Sequence, residues 1–230
     1  MADPRTVIVT GAAGALGGVV LAALHGAGWS VVAFAREASL GGLDPATHAF
    51  ALPVDLLDGE AVRGATEEAA SRTGRIDALV CLAGGYFGGV LLAETPTERL
   101  QQQLSLNLVT AFNAVHAVLP HLVASGGGTI VGVSSRPAIE VGAGSAAYAI
   151  AKLGVVKLVQ EVAAEYRDEG VRANVIVPST IDTPANRAGR PAGRTDRWVR
   201  PEAIAAVIRF LVSDDASVIS GATIPVYGRA

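Results

Sequence analysis

Residues Thr6 to Thr10, Thr-Val-Ile-Val-Thr, run directly into Gly11-Ala-Ala-Gly14-Ala-Leu-Gly17 and then into Val19-Val-Leu-Ala-Ala-Leu. A β-branched run, a turn of small residues and a helix-forming run follow one another without a spacer, which predicts strand, tight turn and helix in that order. No other stretch constrains the fold as much. A strand that empties through glycines into a helix leaves the first backbone N–H groups of that helix free at the sheet end, where they and the helix dipole stabilise an anion. The expectation is a nucleotide pyrophosphate at this turn, held by Thr10, Gly11, Ala13, Gly14, Ala15, Leu16 and Gly17. With 27 glycines in 230 residues the glycines alone do not establish that ligand. The strand before and the helix after them are what favour it.

The same alternation continues along the chain. Ser30-Val-Val-Ala-Phe-Ala35 reads as a second strand with Arg36 at its end, and Phe50 to Asp55 as a third, followed by a helix from Asp58 to Arg72 that Asp58 can cap. Ile76 to Leu82 is a fourth strand, apolar throughout as strands buried on both faces are, and it runs into Ala83-Gly84-Gly85. A long helix from Thr97 to Val123 carries Asn107 in an apolar stripe, and a fifth strand from Thr129 to Val133 delivers Ser134 and Ser135. A helix from Ser145 to Arg167, a sixth strand from Val171 to Val177, a helix from Pro201 to Val212 and a last strand from Ala222 to Val226 complete the pattern. Strands alternating with helices predict an α/β fold: one doubly wound domain over residues 1–230, with a seven-stranded, mostly parallel sheet and helices on both faces. Residues 178–200, rich in Pro, Gly, Thr and Arg, read as a substrate lid. Its Arg187, Arg190, Arg194, Arg197 and Arg200 are solvated cations or attract an anionic substrate.

Open α/β sheets bind ligands beyond the carboxyl ends of their strands. At the end of the second strand Ala35 cannot accept a hydrogen bond from the 2′-hydroxyl of NAD. Arg36 offers a forked cation for the 2′-phosphate of NADP. Asp55, with Leu56 beside it, lies where an adenine amino group would fall, although Asp55 can equally close a local turn. Ala83, Gly84 and Gly85 let backbone pass close to a flat ligand.

Tyr148 and Lys152 are four apart in an alanine-rich segment, so about 3.6 residues per turn places them on one helix face. A phenol ionises at about pH 10, and a fixed ammonium nearby lowers that value, making the pair a candidate acid/base. The chain has two lysines against sixteen arginines, so a lysine at this spacing stands out from the background charge. The same spacing also serves an ordinary amphipathic helix.

Composition excludes several classes. Half the residues are apolar and 17% charged, with a mean hydropathy of +0.42, which suggests a large core and further apolar surface buried between subunits. A homodimer or homotetramer is expected. A net charge of −3 and pI near 5.8 give no reason to propose nucleic acid or an anionic membrane as partner. The single Cys81 excludes an intrachain disulfide, and His25, His48, His116 and His121 are scattered without ligand spacing, so no metal site is expected. The apolar stretch from Leu104 to Ala124 contains Asn107, Asn113, His116, Pro120 and His121, which reads as a buried helix and not a membrane span. Without a secretory pattern after Met1, a cytoplasmic protein is the expectation.

Thr10-Gly-Ala-Ala-Gly-Ala-Leu-Gly17, Asn107, Ser135 and Tyr148-x-x-x-Lys152, in this order, resemble the short-chain dehydrogenase/reductase family over essentially the whole chain. Ser135 stands thirteen residues before Tyr148, the family's usual spacing, which favours it over Ser134 and Ser145. The resemblance implies a Rossmann-fold NAD(P)-dependent oxidoreductase acting on a small carbonyl or alcohol. Tyr148 would be the general acid/base, Ser135 would orient the carbonyl, and Lys152 would lower the tyrosine pKa and bind the nicotinamide ribose. Asn107 would hold a water of the proton relay, and Pro178, Ile181 and Thr183 would contact the nicotinamide carboxamide. Ala15, Leu82 and Ser179 depart from the family pattern: Ala15 replaces a glycine, Leu82 an asparagine that braces the central strands, and Ser179 a glycine. Cys81-Leu-Ala-Gly-Gly-Tyr86 and Ile181 to Arg187 are similar to the dihydropteridine-reductase branch, which implies as alternative a reductase of a quinonoid or C=N compound. A nucleotide-sensing protein without turnover is the alternative of another class. NADP is the expected cofactor and NAD the less suited one.

Overall fold

In a computed structural model, which describes residues 4–189 and 195–229, seven strands pair side by side: β1 (Thr6–Thr10), β2 (Ser30–Ala35), β3 (Phe50–Pro53), β4 (Ala78–Cys81), β5 (Gly128–Val133), β6 (Val171–Pro178) and β7 (Thr223–Val226). Their spatial order is β3-β2-β1-β4-β5-β6-β7, and every neighbouring pair is parallel. Parallel pairing requires a crossover between consecutive strands. The helices supply it: α1 (Ala15–His25), α2 (Gly59–Thr73), α3 (Thr97–Gln103) continuing through a π-helical turn (Leu104–Val109) into α4 (Thr110–Ala124), α5 (Ala146–Glu165), α6 (Pro184–Gly189) and α7 (Pro201–Val212).

The uninterrupted apolar character of the strands follows from burial on both faces. On one face Val7, Val9, Val31, Val80, Val131 and Ile176 pack under Val20, Leu21 and Leu24 of α1 and Ile204, Ile208 and Leu211 of α7. On the other, Ile8, Phe34, Leu79, Ile130 and Val175 pack under Val62 of α2, Val115, Val118 and Leu122 of α4, and Val155 and Val159 of α5. Fully burying one such side chain stabilises the fold by about 1.5–3 kcal/mol, so these two layers fix the strand ends relative to α1 and α5.

Local signals set several helix ends. The Asp58 carboxylate accepts from the backbone N–H groups of Glu60 (3.0 Å) and Ala61 (3.2 Å), capping α2, and Gly74 closes that helix at φ +79°. Arg172 of β6 donates to the carbonyls of Leu211, Ser213, Ala216 and Ile219, satisfying the end of α7. The helix Thr97–Ala124 is long and apolar enough to cross a membrane, but half of its most apolar stretch is buried inside the fold, as a core helix is.

The lid segment has more structure than its composition suggests. Asp182 and Val199 pair across it (N–H to O, 2.8 Å), α6 follows Thr183, and a short 3-10 turn spans Thr195–Arg197. Arg187 forks onto Asp182 at 2.5 and 2.7 Å, so its charge is already partnered. Arg197 and Arg200 line a groove of about 620 Å³ with Trp198 and Arg229. Arg190 and Arg194 lie outside the described residues.

Candidate active site

The strand order turns back between β1 and β4, and the crevice outside their carboxyl ends is where this architecture places a ligand. Gly11 enters that crevice at φ +66°, and a methyl group on it would lie 2.7 Å from the Ala83 nitrogen, so the glycine turn and the end of β4 are in near contact. Gly17 is buried against the turn, and a methyl group on it would collide with the carbonyl oxygens of Ala12 and Gly11. Gly14 is the N-cap of α1 and provides no side-chain cap, the first turn has no acidic residue, and Ala13, Gly14 and Ala15 are exposed. The uncapped N–H groups at this helix start fit a pyrophosphate. Ala15, in place of the usual glycine, is exposed and obstructs nothing there.

At the neighbouring strand ends, Arg36 is exposed and has no ion-pair partner among the described residues. Asp55 closes a local turn, one carboxylate oxygen accepting from Leu57 N–H at 3.0 Å, while Leu56 packs on the core and its carbonyl accepts from Asn113. Leu82, expected to leave the central strands without a brace, packs against the core, and β1 and β4 stay joined through Leu82 N–H to the Thr10 carbonyl at 3.3 Å. Ala83 N–H makes a longer contact to the Thr10 hydroxyl, 3.5 Å.

The four expected catalytic groups come from four elements. Asn107 sits on the π-helical turn and is fully buried; such a turn inserts a residue into the helix and is often found at functional sites. Its amide clamps Gly85 in both directions, accepting from the Gly85 N–H (3.1 Å) and donating to the Gly85 carbonyl (3.0 Å), and also donates to Gln103. The side chain is therefore engaged with protein partners and holds the loop after β4. Ser134 and Ser135 diverge at the end of β5: the buried Ser134 hydroxyl donates to the Lys152 carbonyl of α5 at 2.7 Å, whereas Ser135 lies beside the Tyr148 phenol and lowers its pKa. Ser145 precedes α5 and makes no side-chain cap.

Tyr148 and Lys152 share the inner face of α5 and are 9% and 6% exposed. Lys152 Nζ donates to the Val133 carbonyl at 3.0 Å, and a methyl group on Gly84 would meet both this nitrogen (3.0 Å) and Asn107 Oδ1 (2.5 Å), so the end of β4 lies directly against the pair. Burial lowers the Lys152 pKa from 10.5 to about 8, with the nearby Cys81 opposing. Burial raises Tyr148, Ser135 pulls it back and Tyr86 adds to the rise. The expectation that Lys152 lowers the phenol pKa is thus not met here. Its ammonium is turned to Val133, and desolvation dominates the phenol.

Of the remaining expected contacts, Pro178 ends β6 beside Val226 and Ile181 bridges to Val199. Thr183 is nearly buried, its hydroxyl accepting from Asn186 N–H at 3.2 Å at the start of α6. Two residues that the sequence singles out only through the family resemblance also border the site. Tyr86 packs edge-on against Tyr148, with ring centroids 5.0 Å apart at 80°, and Cys81 lies beside Lys152 with its thiol pushed up to about 12 by burial. Both follow from position, since each flanks the Ala83-Gly84-Gly85 segment at the end of β4. No group of three or more His, Cys, Asp or Glu side chains suited to a metal occurs among the described residues.

Comparison with known proteins agrees with this geometry. The profile of the family described as enoyl-(acyl carrier protein) reductase matches residues 11–228. The meso-2,3-butanediol dehydrogenase of Serratia marcescens is 33% identical over 99% of this chain and 95% of its own length, and the D-threitol dehydrogenase of Mycolicibacterium smegmatis is 33% identical over 98% and 92%. A short-chain type dehydrogenase/reductase from Mycobacterium ulcerans superposes with a TM-score of 0.91 at 27% identity, covering 99% of this chain and 90% of that one. From near-full-length similarity to dehydrogenases, an all-parallel sheet in the shared order and a Ser, Tyr and Lys gathered at its mouth, the chain belongs to the short-chain dehydrogenase/reductase family and is an oxidoreductase.

Proposed function

We propose that the chain is an NADP(H)-dependent oxidoreductase that interconverts a small carbonyl compound and its alcohol, with Tyr148 as the proton-transferring group. The observation that carries this reading is the buried placement of Tyr148 and Lys152 on one helix at the mouth of the crevice, with Ser135 beside the phenol and Asn107 beside Lys152 at Gly84. The nicotinamide, when bound, supplies or accepts the hydride. The uncapped start of α1 would hold the pyrophosphate, Arg36 the 2′-phosphate and Lys152 the nicotinamide-side ribose, using the two N–H bonds that Val133 leaves it.

Ser135 and Tyr148 both present hydroxyls to a substrate oxygen, so the carbonyl is polarised by two donors and Tyr148 delivers its proton to that oxygen. A phenol raised by burial is fully protonated at neutral pH, which suits it to be the acid of a reduction. In the opposite direction it must first lose that proton. Asn107 sets the loop after β4 through its two bonds to Gly85. Exposed Leu106, Val109 and Phe112 on the long helix and Ile150 and Leu153 on α5 support a homodimer or homotetramer, and the lone buried Cys81 suits a reducing cytoplasm.

Tyr148→Phe should lower carbonyl turnover by about 10²-fold or more while leaving NADPH binding intact. Arg36→Ala should weaken NADPH and leave NADH nearly unchanged. Wild-type turnover in Tyr148→Phe, or equal losses of both nucleotides in Arg36→Ala, would overturn the respective assignments. Nucleotide binding with no turnover of any carbonyl would point to a sensor.

A further inference from the structure

Tyr86 is half-exposed (57%) while the Tyr148 ring it touches is 9% exposed, so Tyr86 stands between the proton donor and solvent. Its placement is built by three separate contacts. Asn107 clamps the backbone of Gly85 on both sides, fixing the residue from which the Tyr86 side chain departs. Gly88 leaves a slot for the phenol: a methyl group there would meet Tyr86 Oη at 2.1 Å and the Gly144 carbonyl oxygen at 3.0 Å. Gly89 N–H donates to that same Gly144 carbonyl at 2.7 Å, tying the loop of Tyr86 to the loop that precedes α5. The polar tip of Tyr86 is thus turned into backbone, its ring packs edge-to-face with the Tyr148 ring, and the part of the ring left exposed is apolar surface next to that phenol.

We propose that Tyr86 is a specificity-determining residue that forms an aromatic wall of the substrate site and selects carbonyl compounds carried on a flat ring over open-chain ones. The proposal rests on the carbonyl/alcohol reading above. A flat substrate ring gains an aromatic pair against this wall, whereas an open-chain hydroxyketone must strip water from its hydroxyl there without a new partner.

The test compares wild type, Tyr86→Phe and Tyr86→Leu on acetophenone and on 3-hydroxybutan-2-one, with NADPH. Wild type should prefer acetophenone. Tyr86→Leu should lower kcat/KM on acetophenone by about three- to tenfold, chiefly through KM, and change the hydroxyketone by less than about twofold. Tyr86→Phe keeps the ring and should keep both values. NADPH binding, followed by its fluorescence, should be the same in all three and shows that each is folded. Equal loss on both ketones through kcat, with a shifted pH profile, would show that Tyr86 only supports Tyr148, and no loss on acetophenone would show that the wall contributes nothing; either overturns the proposal. A wild type that binds NADPH but reduces no carbonyl overturns the carbonyl reading itself, a result distinguishable from a failure confined to Tyr86.

Discussion

Lys152→Met should stabilise the protein at neutral pH and cost it its activity. Burial brings the Lys152 pKa from 10.5 to about 8 in the fold. For a base with a lowered folded pKa, the unfolded chain binds more protons between these two values, so stability rises with pH across that window and the buried charge is a penalty below it. At about 1.4 kcal/mol per unit, the penalty at pH 7 is about 3 kcal/mol. Methionine fills similar space without charge but leaves the Val133 carbonyl without its 3.0 Å donor, a loss of about 1 kcal/mol. The net gain is about 2 kcal/mol at pH 7, or about 4–8 °C in Tm for a chain of this length. By pH 10 the wild-type lysine is already neutral in the fold and the penalty has shrunk to about 1 kcal/mol, which cancels the advantage of methionine. Urea unfolding of both proteins at pH 7 and pH 10 measures the difference directly, and turnover assayed on the same samples should be lost in the variant. A stability difference that stays the same at both pH values, or a variant less stable at pH 7, would refute the reasoning: the ammonium would then be compensated inside the fold.

Two other outcomes follow from the geometry. Gly11→Ala should destabilise by about 1–3 kcal/mol or more, because φ is +66° and the new methyl would lie 2.7 Å from the Ala83 nitrogen, whereas Gly41→Ala, with open space around it, should change little in the same urea titration. Because burial raises Tyr148 above its ordinary 10.0, the rate of alcohol oxidation should climb with pH through at least that value while ketone reduction stays flat over neutral pH; an oxidation rate that levels off near pH 7 would contradict a raised phenol.

Much of the fold was legible because its signals are local. Each strand is a short run of Val, Ile, Leu and Ala, and both core layers use alternate residues of the same runs, Ile8 on one side and Val7 and Val9 on the other. Asp58 marked the start of α2 by capping chemistry alone. The helical spacing of Tyr148 and Lys152 correctly placed them on one buried face. What was not legible depends on neighbours far away in sequence. No local pattern announces the π-helical turn that holds Asn107, or that its amide would be spent on Gly85, twenty-two residues earlier. The arginine-rich lid looked unpaired because the pairing of Arg187 with Asp182 needs α6, which the nearby Pro and Gly residues concealed.

The difference between Ser134 and Ser135 shows how position becomes chemistry. Successive residues at the end of a strand point to opposite faces, so one hydroxyl is carried into the α5 core, where it holds the Lys152 carbonyl, and the next is carried to the mouth, where it meets Tyr148. The same pleat that anchors α5 through Ser134 therefore sets the distance between Ser135 and the phenol. Lys152 is caught in this arrangement too: its backbone is fixed by Ser134, its Nζ by Val133 of the same strand, and its surroundings are apolar because Cys81 and Gly84 close the space from β4. The ammonium is thus held at the site by β5, and its pKa is lowered by burial. Burial and Ser135 push the Tyr148 pKa in opposite directions, with burial the larger, and the charge on the buried Lys152 is a cost to the fold below its pKa of about 8.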